Sequence, residues 1–178
     1  MRHRIRGRKL GRNSPHRKAL FRNLSRSIIL TCDQQGVGAS KAEGRIRTTF
    51  AKAKVARPFV ERLITIAVKA KKAALEANQL ICSHARGSEA WKDWRRTEAG
   101  QIWLHAQAKY IHRQRQLFAV LRSRQVVSLL IDEIAPRFVG RPGGYMRVVR
   151  IAKRRLADGA RLAYLEFVGE PTRLSVEK

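Results

Sequence analysis

The first 26 residues carry ten Lys or Arg side chains and no carboxylate, since the first acidic residue is Asp33. Such a run of like charge repels itself and does not form a core without a partner that neutralises it. A nucleic acid fits best, because neutralising its phosphates releases condensed counterions. Arginine also outnumbers lysine, and its planar guanidinium suits bidentate phosphate contacts and stacking on bases. The sequence therefore predicts a folded core with a basic arm outside it.

The rest of the chain shows the same charge bias. It has 39 basic and 13 acidic residues among 178, a formal charge of +26 and 44% apolar content. This length and composition suffice for one modest core. We expect a basic arm at 1–13, a single α/β domain at 14–168 and a tail at 169–178. The sequence lacks the apolar run of about 18 residues that a membrane-spanning helix needs, and the Arg-rich start resembles no secretory signal. We therefore expect a soluble cytoplasmic protein.

Apolar periodicity predicts an α+β fold that begins with a helix. Ser14 followed by Pro15 is a typical helix start, with Ser14 as the cap, and the helix should end near Thr31. Its predicted core stripe is Leu20, Leu24 and Ile28, and its basic ridge is Lys18, Arg22 and Arg26.

A flexible loop over 33–44 and a strand over Arg45–Thr49 should follow the first helix. A second helix is predicted from Phe50 into the low seventies. Pro58 lies within it and predicts either a kink or a helix that effectively begins there. The predicted core stripe of this helix is Val55, Phe59, Leu63, Ile66 and Ala70.

Residues 84–112 differ from their surroundings, because they contain all three tryptophans and a net charge of only +2. Ser88 could cap a helix with Gly100 as a weak point in its middle. A helical insertion packed on the domain is favoured over a protein-docking or base-stacking surface. The face predicted for this helix is Trp91, Trp94, Ile102 and Ala106.

The C-terminal part changes from helical to strand periodicity. Helical pattern continues from Leu117, breaks near Ser123 and stops at Pro136. An antiparallel strand pair then follows, over 145–151 and 162–168, with a loop at Asp158-Gly159. The complete order is helix, strand, several helices and C-terminal strand pair.

The segment Arg141-Pro142-Gly143-Gly144 has no helix after it and is therefore not a phosphate-binding GxGxxG turn. Two interpretations are equally supported. It is either a close backbone approach to RNA, framed by Arg137, Arg141 and Arg147, or an ordinary turn.

Candidate catalytic or metal-binding residues are weak. Asp132 and Glu133 are neighbours on a helix and point about 100° apart, which is a poor geometry for a shared metal or an acid–base pair. His105 and His112 lack an accompanying acid in a metal motif. Cys32 and Cys82 have neither disulfide nor zinc-like spacing. We expect no enzyme activity, no metal and no cofactor.

Several segments together closely resemble the bacterial large-subunit ribosomal protein seventeen family. They occur in order from residue 1 to about 168: MRHR, GRKLGRNSPHRKALFRNL, RTTFAKAKVARP, ERLITIA, IAPRF, RPGGY and AYLEFV. The chain departs from the compact members around 33–44 and 84–112, which we interpret as additions. The bacterial-style start at Met1 favours a bacterial cytoplasm over an organelle.

The resemblance implies a two-layer α/β fold and a structural, non-catalytic protein of the large ribosomal subunit. Its partners would be the large-subunit (23S) rRNA and neighbouring large-subunit proteins, and its role would be to support subunit assembly and translation. A free nucleic-acid-binding or RNA-processing protein is the alternative. The residues expected to touch rRNA are Arg2, His3, Arg4, Arg6, Arg8, Lys9, Arg12, Asn13, His16, Arg17, Lys18, Arg22, Lys52, Lys54, Arg137, Arg141, Gly143, Gly144, Tyr145 and Arg147.

Overall fold

A computed structural model describes residues 7–32 and 44–169 of the chain. The elements are α1 (Ser14–Leu30), β1 (Arg45–Thr49), α2 (Phe50–Leu80), α3 (Glu89–Trp94), α4 (Glu98–Leu121), α5 (Arg124–Leu129), a π-helical turn (Leu130–Ile134), α6 (Ala135–Arg137), β2 (Met146–Arg154) and β3 (Arg161–Phe167). This order confirms the predicted α+β class. Residues 1–6 of the predicted arm, 33–43 of the predicted loop and 170–178 of the predicted tail lie outside the described residues.

The described residues group into two compact units. The first comprises the chain up to Arg62 together with the part from Arg141 onward, and the second comprises Leu63–Gly140. Helix α2 continues from the first unit into the second. The single domain at 14–168 remains a prediction.

Helix α1 begins one residue earlier than a Ser14 cap would require. Its cap is Asn13, whose Oδ1 accepts a hydrogen bond from the backbone N–H of His16 at 3.0 Å. Ser14 is the first helical residue, and Pro15 fits the first turn because the amide it lacks would have no partner there. The prediction of Ser14 as the cap was therefore wrong, while the predicted end of the helix agrees to within one residue.

The buried face of α1 is displaced from the predicted stripe. The phenyl rings of Phe21 and Phe59 are 5.6 Å apart, and the buried Ser25 hydroxyl donates to the Phe21 carbonyl at 2.7 Å. That bond satisfies a polar group that would otherwise be costly to bury. The fully buried residues are Ser25, Ile28 and Ile29, whereas Leu20 and Leu24 are only partly buried.

Helix α2 is longer than predicted and runs through Pro58 to Leu80. The expectation that it effectively begins near Pro58 was wrong. Proline removes one backbone donor, but buried residues on both sides of it add tertiary packing, which supplies most of a helix's stability. These buried positions include several alanines and differ in part from the predicted stripe; they are Ala53, Ala56, Val60, Leu63, Ile64, Ala67, Val68, Ala70, Ala73 and Ala77.

The Trp-bearing stretch in the second unit forms two helices rather than one. Ser88 caps α3 as predicted, accepting from the Trp91 N–H at 3.1 Å. The helix then ends at Trp94, and Thr97 caps α4 by accepting from the Gly100 N–H at 3.4 Å. Each cap satisfies a terminal amide, so the chain stops and restarts a helix within a few residues.

The break between α3 and α4 changes which side chains of this stretch are buried. Trp103 is 6% exposed and packs against Trp91 and Trp94, with ring centroids 6.4 Å and 5.6 Å away. Ala77 and Ala106 complete this cluster. Ile102 is 52% exposed, so its predicted place on the buried face was wrong. The cluster shows that the stretch packs against Ala77 of α2, while its interpretation as a helical insertion stays a prediction.

The predicted break near Ser123 is confirmed. Arg122 adopts a left-handed conformation with φ 52° after α4, and Ser123 is extended before α5. Helical structure then continues one residue past Pro136, because a proline is tolerated in the first turn of α6. None of the helices in the described ranges has the length and apolarity needed to cross a membrane.

The three strands form one antiparallel sheet in the first unit, in the order β1-β3-β2. Side chains alternate between its faces. One face is buried through Ala163, Leu165 and Phe167 of β3, and the backbone N–H of Met146 donates to Glu61 of α2 at 3.4 Å. The opposite face carries Tyr164 and Glu166 of β3.

Candidate nucleic-acid interface

The described end of the basic arm is a compact turn that leads into α1. Leu10 and Gly11 have φ values of 57° and 63°, and the Arg12 N–H donates to the Lys9 carbonyl at 3.1 Å. A left-handed pair of residues reverses the chain. Arg8 and Lys9 are therefore exposed directly beside the N-terminus of the helix.

Two arginines after this turn are held by local hydrogen bonds. Arg12 Nε donates to His16 Nε2 at 3.1 Å, and Arg17 donates to the Arg12 carbonyl at 3.4 Å. Lys18 is exposed and Arg22 is partly buried. Of the residues expected to bind rRNA, Arg2, His3, Arg4 and Arg6 lie outside the described residues.

The outer face of the sheet carries a second basic group, in which Arg147 was predicted from the sequence whereas Arg45 and Arg47 were missed. Arg45 of β1 and Arg147 of β2 flank Glu166 of β3 in the same row of the sheet. In the next row on that face, Arg47 is the partner of Tyr164. Three guanidinium groups thus share one face with one carboxylate.

The side chains on this face support one another. The guanidinium of Arg45 lies 4.8 Å from the centre of the Tyr164 ring, a favourable cation–π distance. Arg147 Nε donates to the carboxylate of Glu166, which is 6% exposed. In the ranges that the structure describes, neither Arg45 nor Arg47 forms an ion pair, so this face keeps a net positive charge.

The beginning of α2 lies beside the hairpin loop and places Lys52 and Lys54 there. Lys54 Nζ is 5.8 Å and the Arg150 guanidinium 4.7 Å from the centre of the Phe50 ring. Lys52 and Arg161 line a shallow pocket of about 390 Å³ beside the first residues of the helix. The free amides of a helix N-terminus and these cations all favour an anion.

Asp158 is the acid in this pocket, and it remains charged. Its pKa lies well below the ordinary value because it accepts a side-chain hydrogen bond from Arg155 and a backbone hydrogen bond from Ala160. The carboxylate neutralises Arg155, which leaves Lys52 and Arg161 as the cations of the pocket without such a partner there.

The turn at 141–145 is closed by its own side chains. Arg141 Nε donates to the Gly143 carbonyl at 3.0 Å, and the Tyr145 hydroxyl donates to the Arg141 carbonyl at 3.1 Å. Gly144 has φ +64°, which favours glycine. Tyr145 is 3% exposed, so its ring shapes the turn from inside. Arg137 belongs to the second unit, where its Nε donates to the Glu133 carbonyl at 3.1 Å.

One of the residues considered for catalysis, Asp132, has a structural partner. Asp132 lies 3.4 Å from Lys71 Nζ. Burial and, to a smaller extent, the charge of Asp132 raise the pKa of Tyr110. Within residues 7–32 and 44–169, no group of three or more His, Cys, Asp or Glu side chains is placed to hold a metal ion. Cys32 is buried and Cys82 is partly exposed.

Comparison with known proteins gives consistent matches. A family model described as ribosomal protein L17 matches residues 41–168. Three relatives described as large ribosomal subunit protein bL17 are similar over nearly the whole chain. The one from Rhodopirellula baltica is 46% identical over 98% of this chain and 84% of its own length. The one from Fervidobacterium nodosum is 38% identical over 94% of this chain and 99% of its own length. The one from Acidobacterium capsulatum is 35% identical over 100% of this chain and 79% of its own length.

Proposed function

Since this chain belongs to the ribosomal protein L17 family, we propose that it is a structural constituent of the large ribosomal subunit that binds large-subunit rRNA. The family consists of non-enzymatic ribosomal proteins, in agreement with the prediction that the chain is not an enzyme. Its bacterial relatives support a place in the bacterial cytoplasm, within the large subunit. Neighbouring large-subunit proteins are its further partners, and subunit assembly and translation are the processes that it supports.

The observation that carries this proposal is the basic surface of the first unit. It combines the exposed arginine and lysine beside α1, the guanidinium groups on the outer sheet face and the cations at the start of α2. Phosphates release counterions when such groups bind them. A protein of net charge +26 therefore gains much of its affinity from the rRNA backbone.

The outer sheet face adds geometry to this charge. Arg45 is held against Tyr164 and Arg147 against Glu166, so both guanidiniums are ordered before RNA arrives. A pre-ordered side chain loses less entropy on binding. Because the guanidinium is planar, it presents a fork of donors to phosphate oxygens or stacks on an unpaired base. We therefore add Arg45, Arg47 and Tyr164 to the residues proposed to form the interface.

The predicted contacts of the arm, the start of α2 and the 141–147 turn are retained in this proposal. Tyr145 has a different role within it, because its buried ring and its hydrogen bond to the Arg141 carbonyl position the turn. Gly143 and Gly144 leave that turn free of side chains, which permits a close approach of the RNA backbone.

The location is tested by separating a native lysate on a sucrose gradient, washing the large-subunit peak with high salt and detecting this chain by mass spectrometry. We expect the chain to remain with the washed large subunit. Recovery in the light fractions, or release by mild salt, would support the free nucleic-acid binder instead.

The arm is tested by the salt dependence of binding to large-subunit rRNA. Alanine at Arg2, Arg4, Arg6 and Arg8 should weaken binding and reduce the slope of log K against log salt by roughly 0.7–0.9 for each phosphate that the variant no longer neutralises. The control is Arg86→Ala, an exposed arginine of the second unit, and the changes are compared per charge removed. An unchanged slope in the arm variant would place the contacts elsewhere.

The sheet face is tested by the same measurement with Arg45→Ala and Arg47→Ala combined. We expect weaker binding and a shallower slope than in the Arg86→Ala control. Arg45→Lys keeps the charge but lacks the planar fork of donors. Its salt slope should therefore be close to that of the unchanged protein, while its affinity for rRNA should be lower. Equal affinities of the sheet variants and the control would remove this face from the interface.

A further inference from the structure

A groove between the end of α2 and α4 differs in chemistry from the basic surface of the first unit. It lies within the second unit, has a volume of about 570 Å³ and is open to solvent. Leu80 of α2 and Ile102 of α4 line it, and they are 41% and 52% exposed. Exposed apolar side chains gathered in a groove, rather than scattered over a surface, indicate a binding site.

The charges of the groove are unusual for this protein. The second unit contains thirteen Lys or Arg and six Asp or Glu residues. The groove holds two of the six acids, Glu76 and Glu98, but only one of the thirteen bases, Lys109. Phosphates would therefore meet two carboxylates here, which disfavours RNA as the occupant.

Four of the nine acids in the described ranges have no ion pair, and both carboxylates of the groove are among these four. Five acids form ion pairs, each with a base of its own unit: Glu61, Asp93, Asp132, Asp158 and Glu166. Neither Glu76 nor Glu98 forms an ion pair with any described residue, although bases outnumber acids threefold in the chain. Both carboxylates thus remain available to an external cation.

The tryptophans of the same stretch are not part of this groove. Trp103 is buried against Trp91 and Trp94, so these rings are used within the protein. The packed cluster supports α4 next to the groove, because Ala106 belongs to the cluster and also lines the groove together with Glu98 and Ile102. The tryptophans of this stretch thus have a structural role, and Glu98 and Ile102 are left open for binding.

We propose that the groove between α2 and α4 binds a basic segment of a neighbouring large-subunit protein. An apolar side chain of that segment packs on Leu80 and Ile102, and Lys or Arg side chains pair with Glu76 and Glu98. Complementary charge orients such a segment, and the apolar contact adds affinity. This inference rests on the proposed function, since it takes the partner from the large subunit.

The test is site-specific photo-crosslinking in assembled large subunits. The photoreactive residue p-benzoylphenylalanine replaces Ile102 in one strain and Leu156 in a second strain. Leu156 is the control because it is 99% exposed and lies in the hairpin loop of the first unit. After irradiation of salt-washed subunits, mass spectrometry identifies the attached peptide or nucleotide. We expect position 102 to attach to a Lys- or Arg-rich protein segment that position 156 does not reach.

Charge reversal then tests the role of the carboxylates. Glu76→Lys combined with Glu98→Lys should lower the yield of that crosslink about fivefold, as expected for two solvent-exposed ion pairs. The matched control combines Glu89→Lys with Glu133→Lys, which makes the same change in net charge at two acids outside the groove. An equal loss of yield in this control would show that net charge, not the groove, is responsible.

The remaining outcomes each overturn the inference. They are a crosslink from position 102 to rRNA, the absence of any crosslink in subunits that contain the chain, and an unchanged yield after charge reversal at Glu76 and Glu98. A failure of the proposed function looks different, because the chain would then be absent from the salt-washed subunit before any irradiation.

Discussion

Replacing Gly100 by alanine should destabilise the protein, although the position of Gly100 in a helix predicts a gain in stability. Gly100 lies in the first turn of α4, and a helical glycine replaced by alanine ordinarily gains roughly 0.5–1 kcal/mol. In this fold, however, a Cβ at Gly100 would lie 2.5 Å from Cα and 2.8 Å from the carbonyl carbon of Arg95, and in closer contact still with the carbonyl oxygen of Trp94. All three atoms belong to the backbone at the end of α3 and just after it, and they cannot turn aside as a flexible side chain would.

The expected cost follows from this crowding. Overpacking by one carbon typically costs about 1–3 kcal/mol. Moving α3 away also weakens two aromatic contacts with Trp103, each worth about 0.5–1.5 kcal/mol. After the gain in helix propensity is subtracted, the free energy of unfolding should fall by about 2 kcal/mol. For a chain of this size that lowers Tm by roughly 4–8 °C.

Urea unfolding followed by tryptophan fluorescence measures this change directly. All three tryptophans of the protein lie at 91–103, so the signal comes from the affected region. The matched control is Gly140→Ala, where a Cβ would meet nothing within 4 Å and the stability should change by less than about 0.5 kcal/mol. Equal or higher stability of Gly100→Ala, with an unshifted emission maximum, would refute the packing of α3 against α4 described above.

Three smaller perturbations test other parts of the first unit. Arg155→Ala should raise the pKa of Asp158 toward its ordinary value, because the hydrogen bond that stabilises the carboxylate is removed; a carboxyl NMR titration measures this. Because the pKa of Asp158 is lowered in the folded state, the pair stabilises the protein above the unfolded pKa of about 3.9. This stabilisation is lost as the pH falls through the folded pKa. Arg155→Ala should therefore make the free energy of unfolding depend less steeply on pH in the acid range. Tyr145→Phe should cost about 1 kcal/mol by removing the hydrogen bond to the Arg141 carbonyl, with denaturant unfolding as the measurement and an unchanged midpoint as the contrary result. Asn13→Ala should cost about 1 kcal/mol by removing the cap of α1, seen as reduced helical circular dichroism on heating, whereas Ser14→Ala should have a smaller effect.

Much of the fold was predictable because it depends on short-range patterns. The strand Arg45–Thr49 and the break at Ser123 were located correctly, since strand periodicity and helix-ending conformations depend on a few consecutive residues. The end of α2 was not located correctly, because no glycine or proline near residue 70 indicates where the helix ends. The helix instead continues to the buried Ala77, whose packing partners Trp103 and Ala106 come later in the chain.

The candidate interface was predictable to a similar extent. Alternation along Arg45–Thr49 already places Arg45 and Arg47 on one face of a strand, and this signal could have identified both. Their alignment with Tyr164 and Glu166 could not have been found in this way, because it requires the register between β1 and β3.

The charge, the order of helices and strands, and the family to which the chain belongs all follow from the order of its amino acids. These are properties of consecutive residues and of their similarity to relatives. Packing in three dimensions was needed to establish that Asn13 rather than Ser14 caps α1, that Ile102 is exposed while Trp103 is buried, and that Glu76 and Glu98 share a groove. Each of these depends on contacts between segments distant in sequence or on the direction of a single side chain, and a local pattern carries neither kind of information.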